Sequence, residues 1–151
     1  MKRNLLIATI FASLFVTSCD GQSDKPYMKI AGGGFMFNYR YSIMNYGFVV
    51  KPLRPLPEGS TLEASFDIPD SSEKFILKLP VVAGKMSYAF ETEALHGVKK
   101  DVPYKAKLRL LEAGTGKELA LVERDFRSDV EQSSLPTKAP VQGIGYFPAP
   151  Q

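Results

Sequence analysis

From Phe35 onward the chain alternates apolar and polar residues with a period of two. Phe35, Phe37, Tyr39, Tyr41 and Ile43 share one face, while Met36, Asn38, Arg40 and Ser42 take the other, which predicts a strand. The phase then slips by one residue, so that Tyr46, Phe48 and Val50 become the apolar face. Such a slip predicts a bulge or tight turn at Asn45 to Gly47. The stretch KPLRPLPEGS, Lys51 to Ser60, holds three prolines, which cannot donate to a strand ladder; it reads as an extended loop. Alternation resumes at Leu62, Ala64, Phe66 and Ile68, again at Phe75, Leu77 and Leu79, and again at Met86, Tyr88, Phe90 and Thr92. After the looped LHGVKKDVP come Tyr104, Ala106, Leu108 and Leu110, then a hairpin turn at Gly114 to Lys117 and a last strand over Glu118 to Phe126. No segment past the leader keeps a helical apolar stripe over three turns. Short strands with turn signals every ~8–12 residues predict an all-β sandwich or barrel.

Tyr104 sharpens that expectation. It opens a late strand, and Leu95-His96-Gly97 lies upstream of it. The arrangement resembles the tyrosine corner of immunoglobulin-like sandwiches, in which a tyrosine hydroxyl bonds back to the backbone of the preceding corner. The expected fold is therefore an immunoglobulin-like or related antiparallel β-sandwich of about seven strands, spanning residues 35–130.

Composition narrows the chemistry. Hydrophobic residues make up 44% of the chain, enough for a core, with ten Phe and seven Tyr but no Trp. The formal charge is +3, and setting aside Lys2 and Arg3 leaves 17 basic against 16 acidic residues, or +1. Net charge therefore gives no support to nucleic-acid binding. A single cysteine allows neither an intramolecular disulfide nor a cysteine metal cage. No cofactor is implied.

The N-terminus carries an address. Lys2 and Arg3 precede a mostly apolar run, Leu5 to Val16, which is shorter than the ~20 residues of a bilayer-spanning helix and has the length of a signal-peptide core. Val16, Thr17 and Ser18 then lead into Cys19. This VTSC resembles the lipobox of bacterial lipoproteins: an aliphatic residue, two small residues, then cysteine. The resemblance implies a signal peptide over residues 1–18, diacylglyceryl transfer to the Cys19 thiol, cleavage before it, and acylation of the new N-terminus. Leucine is commoner than valine at the Val16 position. Asp20 resembles the signal that retains lipoproteins of enteric bacteria in the inner membrane, so that membrane is favoured over the outer one. Two or three acyl chains suffice for stable anchoring, at ~0.8 kcal/mol per buried CH₂. Residues 19–34, rich in polar groups and ending in Gly32-Gly33-Gly34, read as a flexible tether and hinge with a reach of ~50 Å. The glycine run lacks the GK[ST] ending of a phosphate loop.

The remaining constellations are weighed against plainer readings. His96 is the sole histidine and no G-x-S-x-G elbow is present, so a hydrolytic triad has little to build on. Glu91 and Glu93 share a strand face ~7 Å apart, a spacing open to glycosidase chemistry but equally ordinary for a solvated face. Asp67, Asp70 and Glu73 lack an EF-hand pattern. Lys105, Lys107 and Arg109 form a basic row, as do Lys74 and Lys78; these would meet anionic lipid or glycan, or simply coat a sheet face. Phe35, Phe37, Tyr39 and Tyr41 form an aromatic stripe that belongs to the core unless it lies at an edge, where it becomes a binding platform.

The proline-rich tail, residues 131–151, includes Ile144, Tyr146 and Phe147, which are apolar enough to pack on the domain or on a partner. The expected protein is thus a non-catalytic envelope module facing the periplasm, with a membrane partner through Cys19 and a protein partner, as in an accessory lipoprotein of a secretion or transfer apparatus. An inhibitor or exclusion factor acting through Lys51 to Ser60 is the alternative, and a small-ligand carrier or hydrolase the further one.

Overall fold

The computed structural model describes residues 25–142 and 147–148. Seven strands build two antiparallel sheets: β1 (Met28–Asn38), β2 (Ile43–Pro52), β3 (Thr61–Asp67), β4 (Lys74–Pro80), β5 (Tyr88–Glu91), β6 (Tyr104–Leu111) and β7 (Glu118–Phe126). One sheet has the order β1-β2-β5 and the other β4-β3-β6-β7. β1 and β7 also approach each other and close one side of the sandwich. The chain is an antiparallel β-sandwich of seven strands, with β4 joined to the β3-β6-β7 sheet. A 3₁₀ turn, η1 (Gln132–Ser134), and a short antiparallel pair, β8 (Val141–Gln142) with β9 (Phe147–Pro148), follow.

The period-two pattern explains the core. Tyr46, Phe48 and Val50 of β2, Tyr88 and Phe90 of β5, Leu62, Ala64 and Phe66 of β3, and Ala106, Leu108 and Leu110 of β6 are all buried between the sheets. Phe48 is central, with ring centroids 5.2 Å from Phe66, 5.6 Å from Phe90 and 6.1 Å from Phe126. Such aromatic pairs contribute ~0.5–1.5 kcal/mol each beyond the area they bury. Tyr46 is wholly buried, yet its hydroxyl donates to the Asp67 carbonyl at 2.9 Å, which removes the cost of an unpaired polar group. Burial first, and the nearby Asp67 charge second, push its ionisation well above the ordinary tyrosine range. The tyrosine corner is present: the Tyr104 hydroxyl accepts the Lys99 backbone N–H at 2.9 Å.

Three expectations need correction. The first strand begins at Met28 rather than Phe35, so Gly32-Gly33-Gly34 is strand and not hinge. Glycine has no side chain to show a period, and the ladder to β2, broken by a bulge between Ile30 and Gly32, holds the run extended. The stretch expected as a tether therefore overlaps β1 from Met28 onward. The hairpin turn falls at Tyr39–Ser42, not at Asn45 to Gly47. Asn38 Oδ1 accepts the Arg40 N–H at 3.0 Å and Ser42 takes a positive φ, while β2 runs unbroken through Tyr46. Met86, expected on the inner face of the fifth strand, lies ahead of β5 and is 80% exposed.

The start of the C-terminal tail is tied down. Gln132 Oε1 accepts the Val98 N–H at 2.9 Å, and its Nε2 donates to the Leu95 carbonyl at 2.7 Å. Glu131 accepts the Lys100 N–H at 2.8 Å. These bonds clamp the tail onto the β5–β6 crossover, with Val98 buried beneath.

Candidate functional site

The outward faces of the two sheets differ. On β4-β3-β6-β7, register places each expected basic row against acid. Glu63 of β3 lies opposite Lys78 of β4 and Arg109 of β6. Its carboxylate meets Lys78 Nζ at 2.9 Å and Arg109 Nε at 3.1 Å, with Arg109 Nη2 also bound to it. Only 7% of Glu63 is exposed, because the two long cations fold over it. Arg109 first, then Lys78, hold its carboxyl below the ordinary carboxylate range. Glu123 of β7 takes Lys107 at 3.3 Å and Lys105 at 3.5 Å, and Lys74 takes Asp67 at 2.7 Å. The basic rows are thereby matched within the sheet itself.

Over the middle of β1-β2-β5 the outward residues are small and apolar. Gly34 lies opposite Gly47, Gly32 opposite Val49, and Val49 opposite Ala89. Met36, 48% exposed, and Val49 rise beside this bare backbone. The result is a shallow apolar groove of about 340 Å³, bounded by Met36, Val49, Ala89 and Glu91. Glu91 is held at its rim by a hydrogen bond from Asn45 Nδ2.

The glycines of β1 and β2 divide into two kinds. A Cβ at Gly47 would collide with the Phe90 carbonyl, and one at Gly33 with the Gly47 carbonyl, so packing demands glycine there. A Cβ at Gly32 or Gly34 would meet nothing within 4 Å, and neither residue has a positive φ. Glycine within a strand costs about 0.5–1 kcal/mol relative to alanine. The fold gives no local reason for that cost at Gly32 and Gly34.

The other residues singled out from the sequence are dispersed. Glu91 lines the groove, while His96 lines a separate cleft of about 430 Å³ past the C-terminal end of β1, beside Asp70, Glu131 and Gln132. Asp70 is engaged by Lys99 at 2.7 Å and Asp67 by Lys74, so the acids at the β3–β4 turn are not assembled around a common centre. Among the described residues no group of three His, Cys, Asp or Glu side chains could hold a metal ion. The aromatic stripe is split: Phe35 packs on Tyr46 and Tyr104, whereas Tyr39 and Tyr41 are exposed in the turn. Val16, Thr17, Ser18, Cys19 and Asp20 lie outside the described residues, as do Ile144 and Tyr146. For Phe147 only the backbone is described, paired with Gln142.

The sequence matches no protein-family model and no curated protein. Among the described residues no helix is long and apolar enough to cross a membrane.

The groove was hidden in the sequence because its floor is backbone. Its one available signal was the glycine run itself, opposite a second glycine in the next strand.

Proposed function

We propose that this chain is a lipid-anchored protein of the bacterial cell envelope, held through acylated Cys19, whose sandwich is a non-catalytic binding or assembly module facing the periplasm. The groove between Met36 and Val49 carries this reading. It is apolar, bare to the backbone, and keeps glycine at Gly34, where alanine would fit. A floor of backbone with apolar walls suits an extended apolar segment of a protein partner, which gains from close approach and from desolvating Met36 and Val49. On the opposite sheet face the charges satisfy one another, and its exposed apolar residues Ile76 and Leu121 sit apart on the two outer strands, β4 and β7.

The test compares the two faces. Val49→Lys puts a charge in the groove, and Leu121→Lys puts one on the β7 face, where Leu121 is also exposed. Partners recovered with the tagged full chain from its own membranes are expected to be lost with Val49→Lys and kept with Leu121→Lys. Equal recovery with both variants would contradict the groove as the contact.

A further inference from the structure

The end of the sandwich from which the tether leaves has a composition of its own. Met28 opens β1 opposite Pro52, and the Leu53 N–H donates to the Tyr27 carbonyl at 2.9 Å, which fixes the incoming chain beside the proline-rich loop. The β2–β3 and β4–β5 connections meet at this same end and form a cleft of about 410 Å³. Leu53, Val82 and Met86 line it and are exposed, Met86 by 80%.

Its cations are treated differently from those of the charged sheet. Lys29 and Lys51 sit directly opposite each other on β1 and β2. Like charges so placed repel. Among the described residues no ion pair engages Lys29, Lys51 or Lys85, whereas Lys74, Lys78, Lys105, Lys107 and Arg109 each meet a carboxylate. Lys85 instead lies over the Tyr88 ring, 4.7 Å from its centroid, at the wall of the cleft.

The corrected start of β1 supplies the distance. With the strand beginning at Met28, seven residues separate Cys19 from Tyr27, and the eight steps reach at most ~30 Å at ~3.6 Å each. The eleven residues of β1 then carry the chain ~36 Å away from that end. An anchor at Cys19 therefore keeps this end within ~30 Å of the bilayer in every orientation of the domain, whereas the Tyr39–Ser42 end can stand up to ~36 Å farther away.

We propose that the tether end of the sandwich docks on anionic phospholipid headgroups, with Leu53, Val82 and Met86 seated among the headgroups and Lys29, Lys51 and Lys85 facing the lipid charge. This rests on the lipid-anchor reading of Cys19. Apolar side chains flanked by lysine are the composition of an interfacial contact, and a negative surface relieves the Lys29–Lys51 repulsion that the fold leaves in place. Docking also fixes the orientation of the domain, so that the groove is held at a set height instead of sweeping around a flexible leash.

Because the chain has no tryptophan, a single introduced one reports its own surroundings. Met86→Trp and, at the far end, Tyr41→Trp are made separately in the full chain, expressed with its own leader and reconstituted into vesicles of phosphatidylethanolamine and phosphatidylglycerol containing brominated lipid. Docking is expected to quench Met86→Trp about twofold or more and to leave Tyr41→Trp unquenched. Adding Lys29→Glu to Met86→Trp is expected to lower the docked-to-free ratio about fivefold or more, since each lysine near an anionic surface contributes about that factor. The same substitution places opposite charges across the β1–β2 pair, so thermal stability is expected to hold or rise, which separates lost docking from lost folding. Equal quenching at both sites, or no response to Lys29→Glu, would overturn the docking. Palmitate labelling of the same preparations reads the anchor independently: a chain that incorporates no label refutes the anchor at Cys19. The two tryptophans are then compared with vesicles in excess, where equal emission overturns the docking as well.

Discussion

On the β4-β3-β6-β7 sheet the outward residues are long and charged, and each cation has a carboxylate in register with it or beside it. Over the middle of the β1-β2-β5 sheet they are glycine, alanine, valine and methionine, with Lys29 and Lys51 toward one end and Asn45 and Glu91 at the rim. Both faces belong to one sandwich with a single aromatic core, so the difference is not one of folding need. The charged face is closed: its groups satisfy one another, and its lysines discourage other strands from pairing. The glycine face is open: it leaves apolar side chains and strand backbone in water. A surface that accepts such exposure, and also keeps glycine where alanine fits, has its explanation outside the chain.

That contrast can be broken at three points. The largest effect is expected at Gly47, where any Cβ meets the Phe90 carbonyl. Gly47→Val forces β2 and β5 apart and is expected to cost ~3 kcal/mol or to prevent folding, as overpacking of a filled site does. A midpoint of urea unfolding close to that of the parent would show that the β2–β5 contact is looser than described.

The second point is Glu63, which the β3 alternation placed on the outer face but did not show to be covered. Glu63→Gln leaves Arg109 and Lys78 without their shared carboxylate, and about 1–3 kcal/mol of stability is expected to be lost near neutral pH. The sign with pH follows from linkage. Because the folded carboxyl is held below its ordinary value of ~4.3, its contribution is present above that pH and disappears as pH falls through the lowered value. The difference between parent and Glu63→Gln in urea midpoint is therefore expected to shrink as pH falls below about 5. A difference that stays constant over that range would mean that charge is not what binds Glu63 in place. Glu123 is also held low, by Lys107 first, but it is open to solvent, so Glu123→Gln is expected to have the smaller effect.

Much of the fold was legible. Leu62-Ala64-Phe66 and Tyr104-Ala106-Leu108-Leu110 alternate cleanly because one side of each strand packs on the core and the other faces water, which is the condition under which a period of two is written into a sequence. The start of β1 was not legible, since Gly32-Gly33-Gly34 carries no side chain on either face. The first hairpin turn was misplaced because Tyr39 and Tyr41 continue an aromatic alternation that β1 has already ended. Burial of Glu63 depends on β4 and β6 flanking β3, a lateral order that local pattern does not contain. The tail's clamp depends on one side chain, Gln132, reaching across to Leu95 and Val98. Of the candidate site, the sequence showed Met36 and Val49 only as ordinary members of strand faces. The groove between them exists because two strands bring their glycines opposite each other.

Gly34 tests the central claim most directly. A Cβ there meets nothing within 4 Å and rises into the floor of the groove. Gly34→Val is expected to leave thermal stability unchanged or to raise it by about 0.5–1 kcal/mol, and at the same time to abolish capture of the partner that Val49→Lys loses. A Gly34→Val protein that folds as well as its parent and still captures that partner would contradict the groove as the binding surface.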